Sequence, residues 1–171
     1  MKLLARLNFY HYPSQFRLMF WGMMLSTAGS SMIWPFLIIF VSEKLSLPLT
    51  AVASLLTIQS ISSLIASFLA GPVVDRFGRK WVMAGSLFLN GVAYLFISQA
   101  ETLPVFAVLM AITGFVNPLY RVGADAMLAD LVPEKERVDA YSLLRMGNNA
   151  GIAIGPAVGG FIASASYAVA F

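Results

Sequence analysis

Three charged side chains sit within or beside long apolar runs, and these are the residues with chemistry to offer. Arg121 and Asp125 are four apart, so on a helix they share a face. Arg145 follows, with Asn148 and Asn149 about one turn further on. A charge at the centre of a membrane helix costs about 2.5–3.5 kcal/mol on insertion scales, so such residues mark ion or solute paths by default. If Asp125 carries protons, it must part from its arginine neighbours in one state, because a paired carboxylate holds on to its charge. Other chemistries lack their parts. There is no cysteine and the single histidine is His11, which excludes thiolate and histidine-rich metal centres. Gly29-Ser30-Ser31 offers a hydroxyl, but the runs hold no base to activate it. No catalytic residue, metal or cofactor is expected.

The elements that must position these residues are helices in a membrane. Of the 171 residues 59 % are hydrophobic and only 11 % charged, against about 25 % charged in a soluble domain. That is too little charge to cover a soluble surface. Charge-free runs fill 18–42, 45–74, 81–100, 102–120 and 146–171, and a spanning helix needs roughly 20 mostly apolar residues. Alternating strands of barrel length are not visible, so the backbone must close its hydrogen bonds within helices. Five spans are expected, about 16–41, 50–74, 81–99, 105–131 and 140–164, with a sixth beginning near Ser166 and cut short at Phe171.

Basic residues set the orientation. Lys2, Arg6 and Arg17 precede or open the first span, Arg76, Arg79 and Lys80 fill the second connection, and Lys135 and Arg137 the fourth. The opposite side holds Lys44 alone. The N-terminus is therefore expected in the cytoplasm, and the net charge of +3 reflects topology rather than nucleic-acid binding. Residues 1–12 are expected to lie on the membrane surface as a short helix, with Phe9, Tyr10 and Tyr12 at headgroup level.

The second connection reads Gly71-Pro72-Val73-Val74-Asp75-Arg76-Phe77-Gly78-Arg79-Lys80. Gly71 would allow close helix approach, Gly78 a turn at positive φ, and Asp75 could pair with Arg76, Arg79 or a neighbouring helix end. This decapeptide resembles the signature of the major facilitator superfamily, Gly-x-x-x-Asp-Arg-x-Gly-Arg-Lys, at Gly71, Asp75, Arg76, Gly78, Arg79 and Lys80. In that family the loop latches the two halves of the transporter on the cytoplasmic side. The stretch 129–137 resembles the cytoplasmic end of the family's fourth helix. The resemblance then makes Asp130 the partner of Arg79 or Arg76, with Arg137 in the same gate.

Gly147, Gly151, Gly155 and Gly159 recur every four residues, with Pro156 and Gly160 among them. The spacing makes a small-residue ridge of the kind that lets membrane helices approach closely. It also resembles the fifth-helix motif of the superfamily's antiporters, which implies export. Drug–proton antiporters of this kind carry an arginine in the fourth helix, followed three and four residues later by Gln and Gly. Here Gly114 fits, but Thr113 replaces the Gln and Met110 the arginine, and the first span has no acidic residue. Arg121 lies about 20° from Met110 on the helical wheel and Asp130 about 180° from Arg121. Arg121 is thus expected toward a cavity and Asp130 toward the gate.

The resemblance implies an all-α integral membrane protein, the N-terminal six-helix half of a major facilitator fold, with the C-terminal half absent from residues 1–171. It implies a multi-pass protein of the cell membrane that exports a small molecule by alternating access, of the multidrug type, with protons as coupling ion. The partners are then the lipid bilayer, the substrate and the C-terminal half. The alternatives are a uniporter or uptake porter of the same superfamily, and a non-transporting membrane subunit.

Overall fold

A computed structural model of the chain describes residues 9–163. A short 3-10 turn, Phe9–His11, leads into five long helices: α1 (Ser14–Leu45), α2 (Leu49–Phe77), α3 (Arg79–Gln99), α4 (Leu103–Leu131) and α5 (Arg137–Ala163). A second 3-10 turn, Glu134–Glu136, joins α4 to α5. The ranges expected for the first four spans, 16–41, 50–74, 81–99 and 105–131, are helical in α1 to α4, and 140–163 of the fifth is helical in α5. The expected sixth lies outside the described residues, as do Lys2 and Arg6.

Local chemistry accounts for the breaks. Ser46 takes a left-handed conformation (φ 52°) and Leu47 N–H bonds the Ser42 carbonyl at 3.1 Å, which ends α1; Pro48 then opens α2. A single residue, Gly78, separates α2 from α3. Its φ of +84° suits a residue without Cβ, and its N–H closes on the Val74 carbonyl while its carbonyl receives Val82 N–H. Pro133 follows the end of α4, where the helix cannot continue.

The outer surface is apolar. Leu18, Phe68, Trp81, Phe88 and Phe161 are each 70 % exposed or more, which is the inverse of a soluble surface and the natural state of helices in hydrocarbon. By length and composition α1 to α4 can each cross a membrane. Even the shortest, α3, has 21 residues, about 31 Å at 1.5 Å per residue. The helix at the fifth expected span is 27 residues long but less apolar than the other four, because Asn148, Asn149 and its glycines dilute it.

Two helix pairs, α1 with α5 and α2 with α4, pack along their length, and α3 lies against α4. Glycine allows both close approaches. A Cβ on Gly151 would come within 2.8 Å of the Met24 carbonyl oxygen, and one on Gly155 within 2.6 Å of that of Ala28. At Gly159 it would overlap the Met32 carbonyl, and at Gly147 it would come within 2.8 Å of the Phe20 ring. Gly160, off this ridge, would meet Phe36 at an ordinary 3.4 Å. In the second pair Gly114 of α4 lies against the Gln59 backbone of α2. Gly71 does not behave as its sequence context predicted. Nothing lies within 4 Å of its Cβ position, because the stripe of α2 that meets the bundle is Ala66, Ala70 and Val74, and Gly71 is about 100° off it.

The pairs are tied to each other at opposite ends. Leu37 and Val41 of α1, Val52 and Leu55 of α2, and Phe106 and Met110 of α4 form one buried cluster. Phe16 and Met19 of α1, Leu128 of α4 and Leu143 of α5 belong to the other. Tyr12 is buried in this second cluster (4 % exposed) and Phe9 packs beside it, while Tyr10 stays exposed. The apolar body of Tyr12 stacks on Phe16 at 4.5 Å between centroids, which draws the chain before α1 under the bundle.

Replacing Gly155 by Val should force α1 and α5 apart and cost about 1–3 kcal/mol, as overpacking does. Gly85→Ala, where nothing lies within 4 Å, should be neutral or slightly stabilising. Thermal unfolding of the two variants in detergent compares them directly.

Candidate functional site

Between the helix pairs lies a cavity of about 310 Å³ with walls from α1, α2, α4 and α5. Its polar lining includes Ser26, Thr27, Ser63, Asn117, Arg121 and Asp125. An adjoining pocket of about 390 Å³ shares Ser63 and Asn117 and reaches Gln59, Ser67 and Gly114. Helical spacing explains the lining. Asn117, Arg121 and Asp125 recur every four residues on α4, as Gln59, Ser63 and Ser67 do on α2. Of the residues expected at the cavity, Arg121, Asp125 and Asn148 line it, and Arg145 and Asn149 do not. The Asn117 amide and the α2 hydroxyls share the four-residue spacing of the charges, a pattern present in the sequence.

Hydrogen bonds fix these walls. Thr27 Oγ1 donates to Asn148 Oδ1 at 2.9 Å, joining α1 to α5 at the cavity. Asn149, its neighbour, is exposed and is not part of the lining. Gln59 Nε2 donates to Thr113 Oγ1 at 3.4 Å, and that hydroxyl donates to the Met110 carbonyl at 3.0 Å. The Tyr141 hydroxyl donates to the backbone oxygen of Asp125 at 3.3 Å, so the turn of α5 before Arg145 lies at the level of Asp125. Asp125 is within electrostatic range of both Arg121 and Arg145. Among the described residues it is in a contact ion pair with neither.

Met110 and Arg121 have different surroundings despite their similar wheel angle. Met110 is 1 % exposed, sealed beneath Leu37, Val41 and Leu55. Arg121 is at the open part of the cavity. Met110 is at the level of the apolar cluster and Arg121 at the level of the cavity, so a shared direction does not give a shared environment.

The arginines Arg79 and Arg137 of the expected gate meet where α4 ends. Arg79 forms an ion pair with Asp130, and its Nη1 also donates to the Ala126 carbonyl at 3.0 Å. Arg137 donates through Nη2 to the Ala129 carbonyl at 2.8 Å and through Nε to the Val132 carbonyl at 3.2 Å. The last carbonyls of a helix lack intrahelical donors and carry the negative end of its dipole. Arg137 therefore caps α4, while Arg79 holds its last turns from the side through Asp130 and the Ala126 carbonyl. Asp75 has no ion-pair partner among the described residues; it is exposed, and Arg79 goes to α4 instead. Arg76 lies over the Phe77 ring at 5.7 Å and Lys80 over Trp81 at 5.5 Å. Beside this end His11 Nε2 is 3.3 Å from Glu136 Oε2. Burial, and then the carboxylates of Asp139 and Glu136, push the Tyr12 hydroxyl above its ordinary pKa of 10.0. Pro156, the remaining member of the glycine motif, is inside α5.

Residues 19–171 match the family model described as Major Facilitator Superfamily. The chain belongs to this superfamily. It is an all-α membrane protein in fold, with four helices long and apolar enough to cross a bilayer. It is 28 % identical over 148 residues to the uncharacterized MFS-type transporter YhjO of Bacillus subtilis, covering 86 % of this chain and 37 % of that protein. It is 33 % identical over 133 residues to a Na(+), Li(+), K(+)/H(+) antiporter of Planococcus maritimus (75 % and 31 %). It is 32 % identical over 124 residues to Multidrug resistance protein 1 of Bacillus subtilis (72 % and 32 %). The chain thus spans about a third of the length of these relatives.

Two measurements probe this end of the superfamily fold. A double-mutant cycle with Arg79→Ala and Asp130→Ala should give a coupling below about 1 kcal/mol, since Asp130 is 60 % exposed. At 1 M salt, where the screening length is about 3 Å, it should shrink further. For Tyr12 a raised folded pKa means that its contribution is fully present below pH 10 and is lost as pH rises through the folded value. Tyr12→Phe should accordingly lessen the fall in melting temperature above pH 10, measured as the difference between variant and parent.

Proposed function

We propose that this chain is the N-terminal half of a secondary transporter of the cell membrane that exports small molecules by alternating access. Its N-terminus is then cytoplasmic and α5 is the fifth span. One observation carries the reading: a polar cavity between two tightly packed helix pairs, with Arg121 and Asp125 in its wall. Hydrocarbon gives no reason to hold an arginine, a carboxylate and several hydroxyls there unless something polar passes. Midplane cavities between helix bundles are where secondary transporters bind their cargo.

The charged cap on α4 suits a cytoplasmic gate. Arg79 and Arg137 hold the helix end from two sides, and the exposed Asp75 and Arg76 are free to meet the C-terminal half when that side closes. Gly147, Gly151, Gly155 and Gly159 lock α5 to α1, so the two move as one body. The antiporter and multidrug relatives favour efflux coupled to an ion. Asp125 is the residue of this chain that can carry a proton across the cavity. A second reading, uniport, is favoured by one observation: Met110, at the usual place of the coupling arginine, is buried in apolar core.

The test is transport by the full-length gene product in proteoliposomes under an imposed pH gradient. Asp125→Asn should abolish pH-driven flux while leaving folding and gradient-free counterflow intact. Unchanged pH-driven flux would remove Asp125 from the coupling role. Gradient-independent flux in the parent protein would favour uniport, and the absence of any flux would sink the transport reading.

A further inference from the structure

We infer that the cavity selects a zwitterion, a small, partly apolar solute with a carboxylate and an ammonium a few bonds apart, Arg121 taking the carboxylate and Asp125 the ammonium. The inference rests on the transport reading above and names the substrate class of that site. Its basis is a pair of charges in the wall. Among the described residues Arg121 and Asp125 are the only charged side chains that line the cavity, and they balance. They stand one turn apart on one face of α4, with Cβ atoms about 5–6 Å from each other. Neither side chain has a contact ion-pair or hydrogen-bond partner among the described residues. Tyr141 bonds the backbone oxygen of Asp125 and leaves its carboxylate free. Arg145 is within electrostatic range of Asp125 but is exposed and outside the lining.

Two opposite charges held apart give the wall a dipole and no net charge. A monovalent ion is drawn to one of them and repelled by the other a turn away, so the two terms oppose each other. A zwitterion laid along the same face gains both attractions, because each of its ends meets the opposite sign. It also brings no net charge into the membrane interior, where an unpaired charge is costly. The guanidinium fits a carboxylate with paired N–H donors to its two oxygens, and the Asp125 carboxylate accepts from an ammonium. Thr27 orients the Asn148 amide by donating to its Oδ1 at 2.9 Å. That leaves the Asn148 Nδ2 donors without a partner among the described residues, and the wall gains a neutral donor. Met23, Pro118 and Ala124 supply an apolar surface for the rest of the solute, and about 310 Å³ suits one small organic molecule. A proton on Asp125 and the solute's ammonium then exclude each other, so one carboxylate serves both binding and coupling.

The experiment compares three solutes that share a phenyl ring on a short chain and differ in charge: zwitterionic phenylalanine, cationic phenethylamine and anionic hydrocinnamate. Each is measured at pH 7 for binding to the purified full-length gene product by titration calorimetry and for flux in proteoliposomes. Phenylalanine should bind at least tenfold more tightly than either ion. Arg121→Gln should weaken phenylalanine at least tenfold and tighten phenethylamine severalfold, and Arg121→Lys should retain part of the phenylalanine affinity. Asp125→Asn should weaken phenylalanine at least tenfold and tighten hydrocinnamate severalfold. It raises the concentration at which counterflow saturates without abolishing counterflow. These crossed preferences are an effect that a merely structural role would not produce. Either ion binding as tightly as phenylalanine would overturn the proposal. So would binding of none of the three, phenylalanine affinity unchanged in the folded variants, or an equal loss of all three solutes in them. Phenylalanine bound but never moved would uphold the zwitterion site and overturn the transport reading. Flux of either ion without phenylalanine binding would do the opposite.

Discussion

In hydrocarbon two apolar helices gain nothing by exchanging lipid for each other, so close backbone contact has to hold them together. This chain meets that constraint with glycine. Along α5, Gly151, Gly155 and Gly159 bring the helix onto the carbonyls of Met24, Ala28 and Met32 in α1. Gly114 does the same for α4 against Gln59 of α2. The dispersion gained along such seams is small per atom and large in sum, and a single Cβ at any of these places would break the fit.

Because the tight seams run within pairs, the space between pairs is filled less completely. Apolar clusters close it at the two ends, around Leu37 and Leu55 at one and around Phe16 and Leu128 at the other. The middle is left for polar groups. Each of those groups needs a partner, because an unpaired one in a low-dielectric interior is costly. Thr27 and Asn148 serve each other across α1 and α5, and Gln59 and Thr113 across α2 and α4. Pro118 adds to the polarity of the wall, since it has no N–H to give the Gly114 carbonyl one turn earlier.

Much of the fold was legible because the membrane simplifies the code. Length and hydropathy located all five helices within a few residues, and the four-residue glycine period was visible as a ridge before its partner was known. The local character of Gly78 followed from its place in a one-residue turn. What one dimension could not give was which side of a helix another helix covers. Gly71 looked like an approach site but is off the stripe of Ala66, Ala70 and Val74. Tyr12 looked amphipathic and is buried, because the chain before α1 folds beneath Phe16. Asn148 and Asn149 were indistinguishable until α1 placed Thr27 beside only one of them.

The arginines divide by the work left for them. Arg79 and Arg137 are satisfied within the chain by the end of α4, where its carbonyls and Asp130 offer negative charge at the bundle's rim. Arginine suits that place, because its charge is permanent and its donors are spread over a rigid fork. Arg121 has no such carbonyl cluster, and among the described residues it makes no contact ion pair with Asp125, four residues on; Arg145 is exposed and outside the cavity lining. A permanent charge in a membrane interior is retained at a cost unless something visits it. The satisfied pair therefore accounts for how the end of the bundle is held, while Arg121 leaves a charge in the cavity wall.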